Sequence, residues 1–153
     1  MKVAIYPGSF DPITNGHLDI LKRSLEIFDE VTVLVGVNPN KKGHFSLEER
    51  IEMIKEAVND PRVKVDYTTG LTVGYAKEHG ASHLIRGLRA VTDFEYEFSL
   101  AAANDFVDSS IDTVFLMGKA EKNFISSSAI MTMHANGVDI SSLVPESVAK
   151  RLK

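Results

Sequence analysis

Five short runs rich in Val and Ile alternate along this chain with stretches in which apolar residues recur at helical spacing. That alternation limits the possible folds more than any other feature. The runs are Lys2 to Tyr6, Val31 to Val37, Arg62 to Asp66, His83 to Ile85 and Thr113 to Met117, and each reads as a buried strand. Between the first two, Leu18, Leu21, Leu25 and Phe28 lay an apolar stripe along Gly16 to Phe28. Ser46, with Glu49 three residues on, forms a capping box opening a helix that carries Ile51, Ile54 and Val58 and stops before Pro61. Further helices are expected over Val73 to His79, with Gly80 as the C-terminal cap, and over Phe94 to Val107. A last pair covers Ser127 to His134 and a helix entered through Pro145, a residue suited to a first helical position. Strand, helix, strand in repetition implies an α/β chain with a parallel five-stranded sheet and helices on both faces. No repeat, low-complexity segment or long linker divides the 153 residues, so 1–153 reads as a single domain.

The charge balance narrows the partners. A net charge of −4, from 17 basic and 21 acidic residues, gives no general attraction to nucleic acid. Small anionic substrates need only a local cluster of positive groups, and Lys41, Lys42, Arg86, Arg89, Lys119 and Lys122 all fall at expected loops or element ends. With no cysteine, disulfides and thiolate metal sites are excluded. The apolar stretch Val3-Ala4-Ile5 after Met1 lacks the form of a signal peptide, and no apolar run approaches bilayer length. A soluble, cytoplasmic protein without a membrane partner is the expectation.

In parallel sheets of this kind ligands bind beyond the carboxyl ends of the strands. After the first strand comes Tyr6-Pro7-Gly8-Ser9-Phe10-Asp11-Pro12-Ile13-Thr14-Asn15-Gly16-His17. Gly8 permits close backbone approach, Ser9 offers a hydroxyl, and His17 sits in the first turn of the next helix. Free N–H groups and the macrodipole favour an anion there. The plainer alternative is a capped helix in which Thr14 or Asn15 is the cap and His17 a surface histidine; Gly, Ser and His together at one turn favour function. Arg86 and Arg89 flank Gly87 at another strand end, where two guanidinium forks suit phosphate oxygens. Salt bridges to Asp93, Glu95 or Glu97 are their alternative role. Ser126-Ser127-Ser128 opens a helix, and its hydroxyls and N–H groups can cap the helix and cradle an anion at once. Lys41 and Lys42, in the loop after the second strand, can form a cationic lid.

The segment Gly8-Ser9-Phe10-Asp11-Pro12 with Thr14-Asn15-Gly16-His17 resembles the signature of the nucleotidyltransferase superfamily that carries a T/H-x-G-H motif on a Rossmann-like sheet. Ile85-Arg86-Gly87-Leu88-Arg89-Ala90, followed by Asp93-Phe94-Glu95-Tyr96-Glu97, and Phe124-Ile125-Ser126-Ser127-Ser128 narrow the resemblance to the bacterial phosphopantetheine adenylyltransferases. It spans nearly the whole chain.

That resemblance implies transfer of the adenylyl group of ATP to 4′-phosphopantetheine, giving dephospho-coenzyme A and pyrophosphate, with no covalent enzyme intermediate. It implies catalytic roles for His17, Lys41 and Arg89, with His17 stabilising the transition state. Ser9, Lys41, Thr72 and Arg86 match positions that bind the acceptor. Ser9, Phe10, His17, Gly87, Leu88, Arg89, Glu97, Lys122, Asn123, Phe124, Ile125, Ser126, Ser127 and Ser128 match nucleotide-binding positions. Two positions depart from the family pattern: Lys122 stands where an aromatic residue is often found, and Gly118 where a Pro is common. Magnesium is expected with the triphosphate, without a protein ligand. Asp11 is read as a turn former rather than an outer-shell contact, and His44, His79, His83 and His134 match no functional position. A homohexamer, with contacts from the apolar face of Phe94 to Val107, and feedback binding of coenzyme A are further expectations. The competing readings are another small-molecule adenylyl- or cytidylyltransferase of the superfamily, or a nucleotide-binding sensor that does no chemistry.

Overall fold

The computed structural model describes residues 1–119 and 125–152. Its strands are β1 (Val3–Gly8), β2 (Glu30–Gly36), β3 (Val63–Thr68), β4 (His83–Leu88) and β5 (Asp112–Met117). The helices are α1 (Asn15–Ser24), α2 (Leu47–Ala57), α3 (Thr72–Glu78), α4 (Val91–Val107), α5 (Ser127–Ala135) and α6 (Glu146–Ala149). All strand pairs are parallel, in the order β3-β2-β1-β4-β5.

Period-two alternation along the strands builds the two packed faces. Ala4 and Tyr6 of β1, Val31, Val33 and Val35 of β2 and Ile85 of β4 point to one face, where α1, α2, α5 and α6 cover them. Ile5, Leu34 and Leu84 point to the other, against Val73 and Ala76 of α3 and Ile111. This is the three-layer arrangement that the strand–helix alternation predicts.

Several boundaries differ from the sequence expectation, each for a local reason. Helix α1 ends at Ser24, whose hydroxyl bonds the Leu21 carbonyl at 2.7 Å, so Phe28 enters the core from a turn. Strand β4 runs to Leu88 because its pairing with β5 continues through Leu88 and Met117, which places Arg86 and Gly87 on the strand itself. Helix α4 starts at Val91, where Asp93 accepts from the Ala90 N–H at 3.2 Å. Pro145 caps α6 and precedes its first residue, and that helix is a single turn. Gly80, at φ 70°, ends α3 in the left-handed conformation that glycine adopts freely.

Strand order reverses between β1 and β4, the switch point where such sheets open. The register shows the opening directly. β1 pairs β2 over six positions but pairs β4 only at Ala4 with His83 and Ile5 with Leu84. Beyond Ile5 the two strands part, and their carboxyl ends form the walls of a crevice.

Candidate active site

The crevice encloses about 730 Å³. It is lined by Ser9, Phe10, His17, Lys41, Arg86, Gly87, Arg89, Glu97 and Ile125 to Ser128, all expected from the sequence. Thr72, the first residue of α3, and Leu88, the last of β4, are not among its lining residues. Lys122, Asn123 and Phe124 lie outside the described residues. Tyr6, Asp11, Lys42, His44, Arg50, Asp93 and Tyr96 also reach the crevice.

His17 is both a cap and a site residue. As the third residue of α1 it closes a capping box: its N–H donates to Thr14 Oγ1 at 3.2 Å, and its Nδ1 accepts the Thr14 N–H at 3.0 Å. An Nδ1 that accepts a backbone proton leaves the ring proton on Nε2. Phe10 and Tyr6 pack edge-on against the ring at centroid distances of 4.9 and 6.4 Å, while one edge opens to the crevice. Burial, reinforced by the positive charges of Arg89 and Arg86, lowers its pKa from 6.5 to about 4. His17 is therefore a neutral hydrogen-bond donor at physiological pH.

The first turn of α1 offers fewer free donors than its sequence implies. The Asn15 N–H is taken by the Leu143 carbonyl at 3.0 Å and that of His17 by Thr14, while the Thr14 N–H serves His17. Asn15 Nδ2 also bonds the Ser142 carbonyl at 2.9 Å, so the C-terminal segment braces this turn.

Phe10 is buried at 1% exposure and has φ 45°, a left-handed conformation uncommon for a large side chain. Its ring belongs to the core, and only its backbone can address a ligand. Gly8 makes room for it: a Cβ at Gly8 would stand 3.1 Å from the Phe10 ring. Gly8→Ala is expected to cost about 1–3 kcal/mol through overpacking, read as a lowered midpoint in thermal unfolding. An unchanged midpoint would mean that the ring yields freely.

Arg86 is held from two sides. Its Nε and Nη2 each donate to the Glu97 carboxylate at 2.7 Å, and Nη1 reaches across the strand gap to the Pro7 carbonyl at 3.2 Å. Burial works against its charge, but the Glu97 carboxylate outweighs that and keeps it protonated. The salt-bridge alternative is thus realised, yet the guanidinium keeps two N–H vectors beyond these bonds. Glu97, 7% exposed, spends both oxygens on Arg86. Arg89 makes a looser contact with Asp93 at 3.5 Å and is left more exposed.

Asp11 does more than form a turn. Its carboxylate accepts the N–H groups of His44 and Phe45 at 2.8 and 2.9 Å, tying the first loop to the root of the Lys41–Lys42 loop. This contact also brings His44 to the crevice. Ser127 Oγ donates to the Pro12 carbonyl at 2.8 Å, and Ser126 caps α5 by accepting the Ala129 N–H at 3.2 Å. Arg50 was not singled out from the sequence. Its signal was an arginine inside the apolar stripe of α2, where Met53 and Ile54 are fully buried.

A crevice at the switch point, on which a helix-capping histidine after β1, two arginines at the end of β4 and a serine turn after β5 converge, defines a nucleotidyltransferase-type site. The cytidylyltransferase-like family model matches residues 5–133. The chain is 50% identical over 153 residues to a phosphopantetheine adenylyltransferase of Caldanaerobacter subterraneus subsp. tengcongensis, covering 99% of this chain and 96% of that one. It is 52% identical over 151 residues to that of Clostridium novyi, covering 98% and 94%. A Vibrio parahaemolyticus structure described as a nicotinate-nucleotide adenylyltransferase superposes with TM-score 0.70 at 17% identity, covering 99% of both chains, which bears on the fold alone. The chain belongs to the phosphopantetheine adenylyltransferase family, within the cytidylyltransferase-like nucleotidyltransferases.

Proposed function

We propose that this enzyme transfers the adenylyl group of ATP to 4′-phosphopantetheine, the penultimate step of coenzyme A biosynthesis. The observation that carries the reading is the convergence of Ser9, His17, Lys41, Arg86, Arg89 and Ser126 to Ser128 on one crevice, in a chain half identical to named relatives over its length.

A phosphate oxygen of phosphopantetheine attacks the α-phosphorus of ATP. A new P–O bond forms as the bond to the β-phosphate bridging oxygen breaks, and pyrophosphate leaves with that electron pair. The attacking phosphate is already anionic, so no protein nucleophile or strong base is required. Catalysis lies in holding two anions in line and neutralising charge at the five-coordinate phosphorus. His17 Nε2–H donates there, Lys41 and Arg86 hold the acceptor phosphate, and Arg89 and the Ser126–Ser128 turn hold the nucleotide phosphates. Ser9 positions; it does not attack.

Magnesium bound with the triphosphate would neutralise part of its charge. Among the described residues no three His, Asp or Glu side chains cluster as a cage, and both Asp11 oxygens are committed to backbone N–H groups. No helix among the described residues is long and apolar enough to cross a membrane, and cytoplasmic location and feedback binding of coenzyme A complete the proposal. Release of pyrophosphate from ATP only when phosphopantetheine is present tests the reaction. Turnover with CTP in place of ATP, or tight nucleotide binding without pyrophosphate release, would overturn it.

The assembly is proposed as a homohexamer. Phe98, Phe106 and Val107 of α4 and Met117 of β5 are 60, 92, 55 and 75% exposed, and packing against further copies would remove these apolar side chains from water. Light scattering is expected to give six times the chain mass of 16.8 kDa; a monomeric mass at working concentration would refute the assembly.

A further inference from the structure

Arg50 is a charged side chain in an unusual position. It lies in the first turn of α2, is 9% exposed, and has no carboxylate within ion-pair distance among the described residues. A buried cation without a counterion is costly unless something else at the site needs its charge. Its Nη1 donates to the Ser9 carbonyl at 3.1 Å. Its Nε is buried without a partner, and its Nη2 makes no hydrogen bond with the described residues. The side chain also lines the crevice, as do Lys41 and Lys42.

The bond to Ser9 fixes more than one atom. In a planar trans peptide the carbonyl and the following N–H point in opposite directions. With the Ser9 carbonyl drawn toward α2, the Phe10 N–H is turned away from Arg50. That N–H has no partner among the described backbone and side-chain groups. The left-handed φ of 45° at Phe10 shows that the turn is held away from the commoner backbone conformations. The Phe10 ring, packed on Tyr6 and His17, locks one side of this peptide, and Arg50 locks the other.

We infer that Arg50 is a positioning residue for adenylyl transfer: it orients the Ser9–Phe10 peptide so that the Phe10 N–H meets the reacting phosphate, and it places an uncompensated positive charge beneath that peptide. Residues already assigned to the reaction address the phosphates with their side chains; Arg50 acts through the backbone, by way of the Ser9 carbonyl. The inference rests on the adenylyl-transfer reading. The wild-type enzyme therefore serves as the control: no pyrophosphate from wild type would sink that reading, whereas the variants speak only to Arg50.

The test uses Arg50→Lys, Arg50→Gln and Arg50→Met in the full-length chain, with kcat, KM for both substrates and thermal unfolding measured for each. Lysine keeps the charge and one donor, glutamine keeps a neutral donor, and methionine keeps only bulk. Misplacing a reacting group by a fraction of a bond length lowers rates strongly, so kcat for the methionine variant is expected to fall by about 10- to 100-fold. KM for ATP should change by less than about threefold, because the ATP-binding side chains remain. Arg50→Lys should recover most of the loss and Arg50→Gln little of it. A purely structural arginine would lower the unfolding midpoint and leave kcat in place. That result, or equal kcat in the lysine and glutamine variants, would overturn the inference. Should Arg50→Met not fold, the lysine–glutamine comparison decides by the same criterion.

Discussion

Replacing His17 with alanine is expected to lower turnover by roughly two to three orders of magnitude while nucleotide affinity changes far less. A preorganised donor aimed at developing charge contributes about 2.7–4 kcal/mol to the transition state, and each 1.36 kcal/mol is tenfold in rate. The same substitution removes one arm of the capping box, since Nδ1 no longer accepts the Thr14 N–H. Loss of a cap costs about 1 kcal/mol, or roughly 2–4 °C in the unfolding midpoint for a chain of this size. His17→Gln separates the two roles: an amide at this helix position can still accept from the cap, so stability should return while turnover stays low. Near-normal turnover in His17→Ala would remove the side chain from the mechanism. Acid adds a second reading. Because the folded pKa of about 4 lies below the ordinary 6.5, the unfolded chain carries a proton between these values that the folded one lacks. Stability from this group is therefore present above pH 6.5 and is lost as pH falls to 4. The stability gap between wild type and His17→Ala should narrow over that window. The kcat/KM profile, which reports the free enzyme, should show no step from His17 between pH 5.5 and 8; a step near 6.5 that vanishes in the variant would indicate an imidazolium donor.

Replacing Arg86 with methionine should damage stability and acceptor binding together. Glu97, 7% exposed, would keep a largely buried carboxylate without its partner. Removing one member of a largely buried pair costs about 3–5 kcal/mol, and partial exposure of Arg86 brings the expectation to about 2–4 kcal/mol. With two charge-assisted bonds to the acceptor phosphate also lost, kcat/KM for phosphopantetheine should fall at least ~100-fold. The double variant Arg86→Met with Glu97→Met separates these effects, because removing both charges should restore much of the stability and none of the acceptor affinity. A single variant within about 0.5 kcal/mol of wild type would show that the pair contributes no more than a surface salt bridge.

The layers and the crevice were legible because they rest on local signals. Val and Ile runs mark strands, Ser46 with Glu49 marks the start of α2, and Gly8 to His17 marks a strand-to-helix turn. What stayed hidden depends on residues distant in sequence. Asp11 looked like a turn residue because its partners, the N–H groups of residues 44 and 45, are backbone and leave no trace in side-chain identity. Glu97 and Arg86 were both singled out, but their mutual bond depends on how α4 lies over β4. Donors at the start of α1 were overcounted because the claim on them comes from Leu143, far down the chain. Arg50 was visible only as a charge in an apolar stripe, a pattern easily read as a long side chain reaching water.

The parting of β1 from β4 explains a residue that otherwise breaks a rule. Proline is normally kept out of central strands because it cannot donate to the ladder. β1 is central, with neighbours on both sides, yet it contains Pro7. Along a strand, the N–H and C=O of one residue face the same side, and the Pro7 carbonyl faces the gap, where Arg86 takes it. The missing donor would have pointed into that gap, with no β4 backbone in register to receive it. Pro7 therefore marks the point at which an interior strand becomes a boundary. Within this sheet a proline serves as a mark of where the hydrogen-bonded fabric ends and solvent, or substrate, begins.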